Sequence, residues 1–260
     1  MERPRILLTN DDGIDAPGME RLLELLSPLP GEVAVAAPKR NHSGAGHAIT
    51  LGREIEILPL PPQGRARWRW QIDGTPVDAV KYALDNGAFA PDLVISGINA
   101  GPNMGNNIHY SGTVGAALEA FFHGVPAVAL SVENPHAPLW DTAIVWGRKI
   151  LGNVFARLEG SAAGGPPFLL NVNFPDLAPE AVKGVRLTRQ GRNGFREKFH
   201  PGPSGRPNHY LLDGEMVFPD TEPDIDTVAV QDGYVSATPL HALMNCAHAR
   251  PWLETTLAGL

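Results

Sequence analysis

Apolar residues in this chain fall into short runs separated by stretches of helical period. Ile6-Leu7-Leu8-Thr9, Glu32 to Ala37 (EVAVAA), Leu93-Val94-Ile95-Ser96, Pro126 to Val132 (PAVALSV) and Phe168 to Phe174 (FLLNVNF) are of strand length. They are near-continuously apolar, as strands buried on both faces of a parallel sheet must be. Between them, Met19 to Leu26 carries four leucines on an acidic background, and Asp141 to Glu159 repeats aliphatic residues at helical spacing, with Trp146 read as core. Asp15-Ala16-Pro17-Gly18 turns the chain into the first of these helices. Gly74-Thr75-Pro76-Val77-Asp78 opens another, with Thr75 as N-cap, Pro76 at the first helical position and Asp78 placed to bond back. Strand and helix in alternation predict the α/β class, a doubly wound, mostly parallel and Rossmann-like sheet.

Two stretches depart from this rhythm. Arg53 to Leu60 (REIEILPL) and Arg67 to Asp73 (RWRWQID) alternate charged and apolar side chains, the period of half-exposed antiparallel strands, and Pro61-Pro62-Gln63-Gly64 between them predicts a hairpin or short flap. Trp68 and Trp70 share one face there, suited to burying apolar area, with stacking of a nucleobase as the alternative. After Gly184 the helical period disappears, and Val185 to Thr188, Gly191 to Gly194, Pro201 to Pro207 and Tyr210 to Val217 read as a Pro/Gly-rich β segment. Val228 to Val230 continues the β character, Gly233 to Ser236 returns as a strand, and Leu240 to Leu257 closes the chain as a helix. The division is thus an α/β core over 1–183 and a β-rich arm with a closing helix over 184–260. Such an arm buries little of itself and is expected to pack on a partner subunit.

Composition narrows the function classes. With 260 residues, 43% hydrophobic and 19% charged, the chain can bury one sizeable core. A net charge of -7 and the lack of a Lys/Arg stripe disfavour a nucleic acid duplex as partner. One cysteine, Cys246, excludes an intrachain disulfide framework and a Cys-rich zinc site. His241 and His248, with Cys246, are read as ordinary helix residues rather than metal ligands. No signal peptide or membrane span is visible, so the expectation is a soluble, cytoplasmic protein with no membrane partner.

The candidate chemistry sits where the strands end. Ile6 to Thr9 stops on Asn10-Asp11-Asp12-Gly13, which places two carboxylates at the carboxyl edge of the sheet, where open α/β folds keep their sites. Adjacent carboxylates repel, and a hard divalent cation between them relieves the repulsion. A solvated Asp-Gly turn is the plainer reading. The loop after Glu32 to Ala37 leaves the same edge and offers the Ser43 hydroxyl among glycines, or is a Gly-rich connector. Leu93 to Ser96 leads to Asn99, whose amide oxygen commonly joins carboxylates around magnesium or manganese. A long polar loop with Asn103, Asn106 and Asn107 follows, and then Ser111-Gly112-Thr113 opens the helix Val114 to His123. Backbone N–H groups, a hydroxyl pair and the positive end of a helix dipole there make an anion site, unless Ser111 is simply an N-cap.

The ordered motifs TNDDGIDAPG, PKRNHSGAGHAIT, DGTPVDAV, SGINAGPNMG, YSGTVGAALEA and GYVSATPL span nearly the whole chain, and together they resemble the SurE (survival protein E) 5′/3′-nucleotidases. The resemblance implies a metal-dependent phosphatase that hydrolyses nucleoside 5′- and 3′-monophosphates. It implies one divalent ion per subunit, magnesium or manganese, on Asp11, Asp12, Ser43 and Asn99. Asp11 and Asp12 are its catalytic residues, and Ser111, Gly112, Thr113 and Asn103 lie beside the phosphate. It also implies dimers or tetramers with exchanged C-terminal elements. His109, where an aliphatic residue is usual, and Ala79, where a cysteine is common, depart from the pattern; His109 leaves the proton donor open. The expected mechanism is metal-assisted attack by water, with an aspartyl-phosphate route through Asp11 as rival. A nucleotide-binding regulator without turnover is the alternative from another class.

Overall fold

A computed structural model describes residues 3–159, 166–243 and 250–257. In chain order its strands are β1 (Arg5–Thr9), β2 (Glu32–Pro38), β3 (Ile57–Leu60), β4 (Ala66–Ile72), β5 (Leu93–Ala100), β6 (Ala127–Val132), β7 (Leu169–Phe174), β8 (Val185–Leu187), β9 (Gly194–Pro201), β10 (Tyr210–Val217) and β11 (Val235–Leu240). The helices are α1 (Pro17–Leu26), α2 (Pro76–Asp85), α3 (Gly112–Phe122), α4 (Trp140–Glu159), α5 (Asp226–Gln231) and α6 (Arg250–Leu257), and a 3-10 helix covers Gly105–Tyr110. Nine strands form one sheet in the order β3-β4-β2-β1-β5-β6-β7-β11-β8, and β9 and β10 pair by themselves.

The sheet is parallel from β4 through β7, with antiparallel pairing of β3 on β4 and of β11 on β7. On β1, Leu7 faces Ala34 of β2 and Val94 of β5 across the ladder. The chain leaves β1 for β2 on one side and resumes at β5 on the other. That reversal leaves a crevice beyond the carboxyl ends of β1 and β5, the usual ligand position in open α/β sheets.

The pleat explains why the strand runs look uniformly apolar. Ile6, Leu8, Val33, Val35 and Ile95 point to one face and pack with Leu22 and Leu25 of α1 and Leu151 and Phe155 of α4. Leu7, Ala34, Ala36 and Val94 point to the other and meet Val80 and Ala83 of α2 and Ala116 and Ala120 of α3. Both faces are covered, so no polar alternation survives. Among the described residues no helix is long and apolar enough to cross a membrane.

Four regions differ in detail from the sequence expectation. The Arg53–Asp73 region does form a hairpin, but not a flap: β4 lies parallel to β2 inside the main sheet and β3 covers its edge. Trp68 packs on Phe89 and Trp70 on Tyr82, so both rings serve the core. The segment after Gly184 divides, since β8 and β11 extend the core sheet whereas the β9–β10 hairpin stands apart and exposes Phe199, Tyr210, Leu211 and Leu212. Val228 to Val230 is helical within α5, because a helical turn buries Thr227, Ala229 and Val230 together. At the C-terminus β11 runs to Leu240 and helix is found over Arg250–Leu257. His241 precedes it, edge-on to Phe121 at 5.8 Å, and Cys246 and His248 lie outside the described residues.

The surface of α4 gives a simple stability test. A Cβ at Gly152 would meet nothing within 4 Å. Gly152→Ala should therefore raise stability by about 0.5–1 kcal/mol through backbone entropy alone. The measurement is a urea midpoint at unchanged m-value, and a lowered midpoint would contradict the open space on this face.

Candidate active site

The turn after β1 is held by a side chain rather than by chance. Asn10 donates from Nδ2 to the Gly13 carbonyl at 2.8 Å and accepts the Gly13 N–H at 3.2 Å. This closed turn fixes Asp11 and Asp12, and the His42 N–H donates to the Asp11 carbonyl at 2.7 Å, which seats the β2 loop beside them. Asp11 is only 4% exposed. Its Oδ1 accepts the Thr113 hydroxyl at 2.5 Å, and the Thr113 backbone N–H supports the same carboxylate. Asp12 accepts from Asn41 Nδ2 at 3.0 Å and from the Ala100 backbone.

Both aspartates resist ionisation in this setting. Burial raises the Asp11 carboxyl, against the pull of the Thr113 bond. Burial, and then the charge of Asp11, push Asp12 up to about 6. The charge of Asp11 adds to burial in raising Asp12, and a cation beside such a carboxylate would relieve both. Asn99 and Ser43, the neutral residues expected beside the two aspartates, carry oxygens of the same hard type. Asn99 spends its amide nitrogen on the Gly101 carbonyl at 2.7 Å, which leaves the amide oxygen as its acceptor. Ser43 is exposed, and its N–H is held by Asn41 Oδ1 at 2.7 Å. Among the described residues no three His, Cys, Asp or Glu side chains gather as a metal cluster. The donor set of carboxylate, hydroxyl and amide oxygens suits a hard ion of the magnesium or manganese kind rather than zinc or copper.

The amino end of α3 meets this crevice directly. Ser111 caps the helix, its Oγ accepting the Val114 N–H at 3.0 Å. A Cβ on Gly112 would lie 2.7 Å from Asp11 Cβ and 2.9 Å from its Oδ2, so only glycine lets the helix approach so closely. The sequence profile of the survival protein SurE family matches residues 6–197 of the chain. A 5′-nucleotidase SurE from Desulforudis audaxviator is 42% identical over 240 residues, covering 91% of each chain. The chain belongs to the SurE family. A 5′-nucleotidase SurE from Symbiobacterium thermophilum is 40% identical over 242 residues, again with 91% of each covered. A crystal structure of a SurE protein from Aquifex aeolicus superposes with a TM-score of 0.79 at 35% identity, covering 97% of this chain and 99% of that one.

Within this SurE fold the other residues singled out from sequence take distinct places. The Thr113 hydroxyl, expected to face an anion, is fully buried and donates to Asp11, so it orients a carboxylate. Asn103 is buried and stitches its loop to the sheet: its Nδ2 donates to Ser131 Oγ at 2.8 Å, its N–H to Asn173 Oδ1 at 2.8 Å, and its carbonyl accepts from Asn171 at 2.7 Å. His109 is exposed, with Nε2 3.4 Å from Gln190 Nε2. Asn10 and Asn41 were not legible as site residues, although Asn41 joins Asp12 to the Ser43 backbone. On the Asp12 side the crevice widens into a cavity of about 660 Å³ walled by Lys39, Arg40, Pro135, Pro138 and Trp140.

Thr113→Val keeps the side-chain shape and deletes the donor to Asp11. With Asp11 as the expected metal ligand, loss of such an outer contact should weaken manganese binding about 10–100-fold. Calorimetric titration decides it, and parental affinity in the variant would mean that the hydroxyl does not orient Asp11.

Proposed function

We propose that the chain is a metal-dependent phosphomonoesterase that hydrolyses nucleoside 5′- and 3′-monophosphates to nucleoside and phosphate, the reaction for which the 5′-nucleotidase SurE relatives are named in its 5′ form. The observation that carries this reading is the contact of the Asp11 carboxylate with the amino end of α3, which sets a cation-seeking group against an anion-seeking one. Asp11, Asp12, Ser43 and Asn99 would hold one magnesium or manganese ion. When bound, that ion supplies Lewis acidity toward the phosphoryl oxygens and the attacking water.

The chain's own groups do the rest. The Gly112 N–H sits in the first turn of α3, where no intrahelical acceptor exists, and the Ser111 hydroxyl keeps its proton for an outside acceptor while its oxygen caps Val114. These donors and the helix dipole bind phosphoryl oxygens and stabilise the charge that grows on them. Thr113 holds Asp11 in one orientation, and Asn41 does the same for Asp12 while seating the Ser43 loop. Asn103 braces the loop between β5 and α3 through Ser131, Asn171 and Asn173, and its second amide N–H is proposed to reach the phosphate. The apolar side chains exposed on the β9–β10 hairpin are proposed to pack on a second copy of the chain in a dimer or tetramer.

Phosphate release from adenosine monophosphate, with and without a chelator, tests the function. Turnover that stops on chelation and returns with manganese or magnesium is expected. Tight nucleotide binding without phosphate release would replace the hydrolase by a nucleotide-binding regulator.

A further inference from the structure

Toward the carboxyl end of α3, two turns from the crevice, lies a buried carboxylate that the mechanism above does not use. The Glu119 side chain is 3% exposed and meets one ammonium and two imidazoles: His47 Nε2 at 2.9 Å from Oε2, a close contact rather than an aligned hydrogen bond, Lys81 Nζ at 2.5 Å and His123 Nε2 at 3.0 Å from Oε1. His123 is on the same helix, but Lys81 comes from α2 and His47 from the loop that carries Ser43. Burial alone would raise the Glu119 carboxyl, yet the contacts from His47 and Lys81 bring it down to about 2. The group therefore stays charged. A buried ion pair adds little stability compared with an apolar core of the same volume, whereas it fixes which elements meet and in what register.

The loop is fastened at the same place by its backbone. The Gly46 N–H donates to the Tyr110 carbonyl at 2.9 Å, and the Gly46 carbonyl lies so close to α3 that a Cβ on Gly115 would come within 2.6 Å of it. Farther on, the Ala48 carbonyl accepts the Thr75 hydroxyl at 2.7 Å and the Thr50 N–H donates to Asp78 at 2.9 Å, both at the start of α2. From Gly46 onward the loop is thus tied to α2, α3 and the turn before α3, while Ser43, one of the four oxygens assigned to the metal, lies in the short turn between this anchor and the His42 N–H bond to the Asp11 carbonyl.

We propose that Glu119 is a positioning residue: through His47 it locks the Ser43 loop onto α3 and so sets the spacing between the metal oxygens and the phosphate-binding end of that helix. This rests on the reading of Ser43 as a metal ligand. The lock acts on the Ser43 loop, while Asn99 stands at the end of β5 and Asp11 and Asp12 stand in the turn after β1, held by Asn10, Thr113 and Asn41 and touched neither by His47 nor by Glu119. Its failure should therefore appear first as weaker metal binding.

The test is calorimetric titration of manganese chloride into the full chain, with thermal melting recorded on each sample. His47→Ala cuts the loop from Glu119 at a side chain that is 31% exposed, and should weaken manganese binding about tenfold. Glu119→Gln should weaken it at least as much. His47→Gln, whose amide N–H can still reach the carboxylate, should recover most of the affinity. Lys81→Ala removes a Glu119 contact without touching the loop and should stay within about twofold of the parent. Parental affinity in His47→Ala, whatever its melting temperature, would overturn the proposal and leave the cluster a matter of stability alone. Should Glu119→Gln not fold, the two His47 variants decide. A parent that does not bind manganese, like the Asp12→Asn reference, would overturn instead the metal reading beneath it.

Discussion

Asp12→Asn is expected to abolish hydrolysis and at the same time to make the metal-free protein more stable at neutral pH. The Asp12 carboxyl is pushed from 3.8 up to about 6, by burial first and by the charge of Asp11 second. An acid whose pKa is higher in the folded than in the unfolded state binds its proton more tightly when folded. Its ionisation therefore removes stability as pH rises from near 3.8 toward about 6, and the loss stays constant above that. Asp12 is partly open to water, so the loss is about 1–2 kcal/mol after screening. Asparagine does not titrate, and it also relieves Asp11 of a like charge. Melting curves taken without metal at pH 4 and pH 7 should differ less for the variant than for the parent, with the variant higher at pH 7. Activity moves the other way: removal of one of two anionic ligands should lower kcat/KM by about a thousandfold or more, because the several kcal/mol supplied by the ion goes with it. Identical pH profiles of melting in the two proteins, or manganese affinity unchanged by the substitution, would remove the basis for the assigned metal site.

The parts of this fold that could be read from sequence are those whose signal is local. Ile6 to Thr9 and Glu32 to Ala37 announce buried strands because α1 and α4 cover one face of the sheet and α2 and α3 the other, leaving no polar side to blur the run. Thr75 and Asp78 announce a helix start because the capping box closes within four residues, the Asp78 N–H on Thr75 Oγ1 at 3.1 Å and the Thr75 N–H on Asp78 Oδ2 at 2.8 Å. Val228 to Val230 is β-prone in type and misled for a non-local reason. Neighbouring Asp226 is buried with its carboxylate on the N–H groups of Gly105 at 2.8 Å and Gly191 at 3.0 Å, and the helical turn that follows is what buries Ala229 and Val230. The alternation of Arg67 to Asp73 announces the strand and its antiparallel partner β3, but not its second, parallel partner β2, because that pairing is non-local.

The site was legible by residue type more than by contact. Carboxylates, an amide and a Ser-Gly-Thr helix start falling on inferred strand ends were enough to assign Asp11, Asp12, Asn99 and Ser111 to one edge as candidates, and of these the structure sets the start of α3 against Asp11. Nothing local says that Asn41 must reach Asp12, 29 positions earlier, with one end of its amide while holding the Ser43 N–H with the other. Nor does a cap sequence say which way a threonine donates. The Thr113 hydroxyl finds Asp11 across 102 positions, and that pairing exists only because Gly112 admits the close approach.

Gly112→Ala should therefore damage the site more than its one added methyl suggests. The new Cβ would stand 2.7 Å from Asp11 Cβ and 2.9 Å from Asp11 Oδ2, distances at which something must shift. The Asp11 backbone is fixed by the Asn10–Gly13 turn and by the His42 N–H, so the helix end and the carboxylate have to move apart. That parts Thr113 from Asp11 and carries the Gly112 N–H away from the phosphate position, so both halves of the site lose their alignment together. A displacement near 1 Å at reacting groups costs about a hundredfold in rate, and here Asp11, the proposed metal ligand, moves as well. A fall in kcat/KM of about 100–1,000-fold is expected for Gly112→Ala, accompanied by weaker manganese binding. Crowding of this kind costs about 1–3 kcal/mol of stability, so the variant should remain folded at 25 °C. Gly152→Ala, with open space at its Cβ, is the matched control and should retain parental rates. Near-parental kcat/KM in Gly112→Ala would mean that α3 and Asp11 can separate without consequence, and the contact between them could then no longer carry the assignment of phosphate to this helix end.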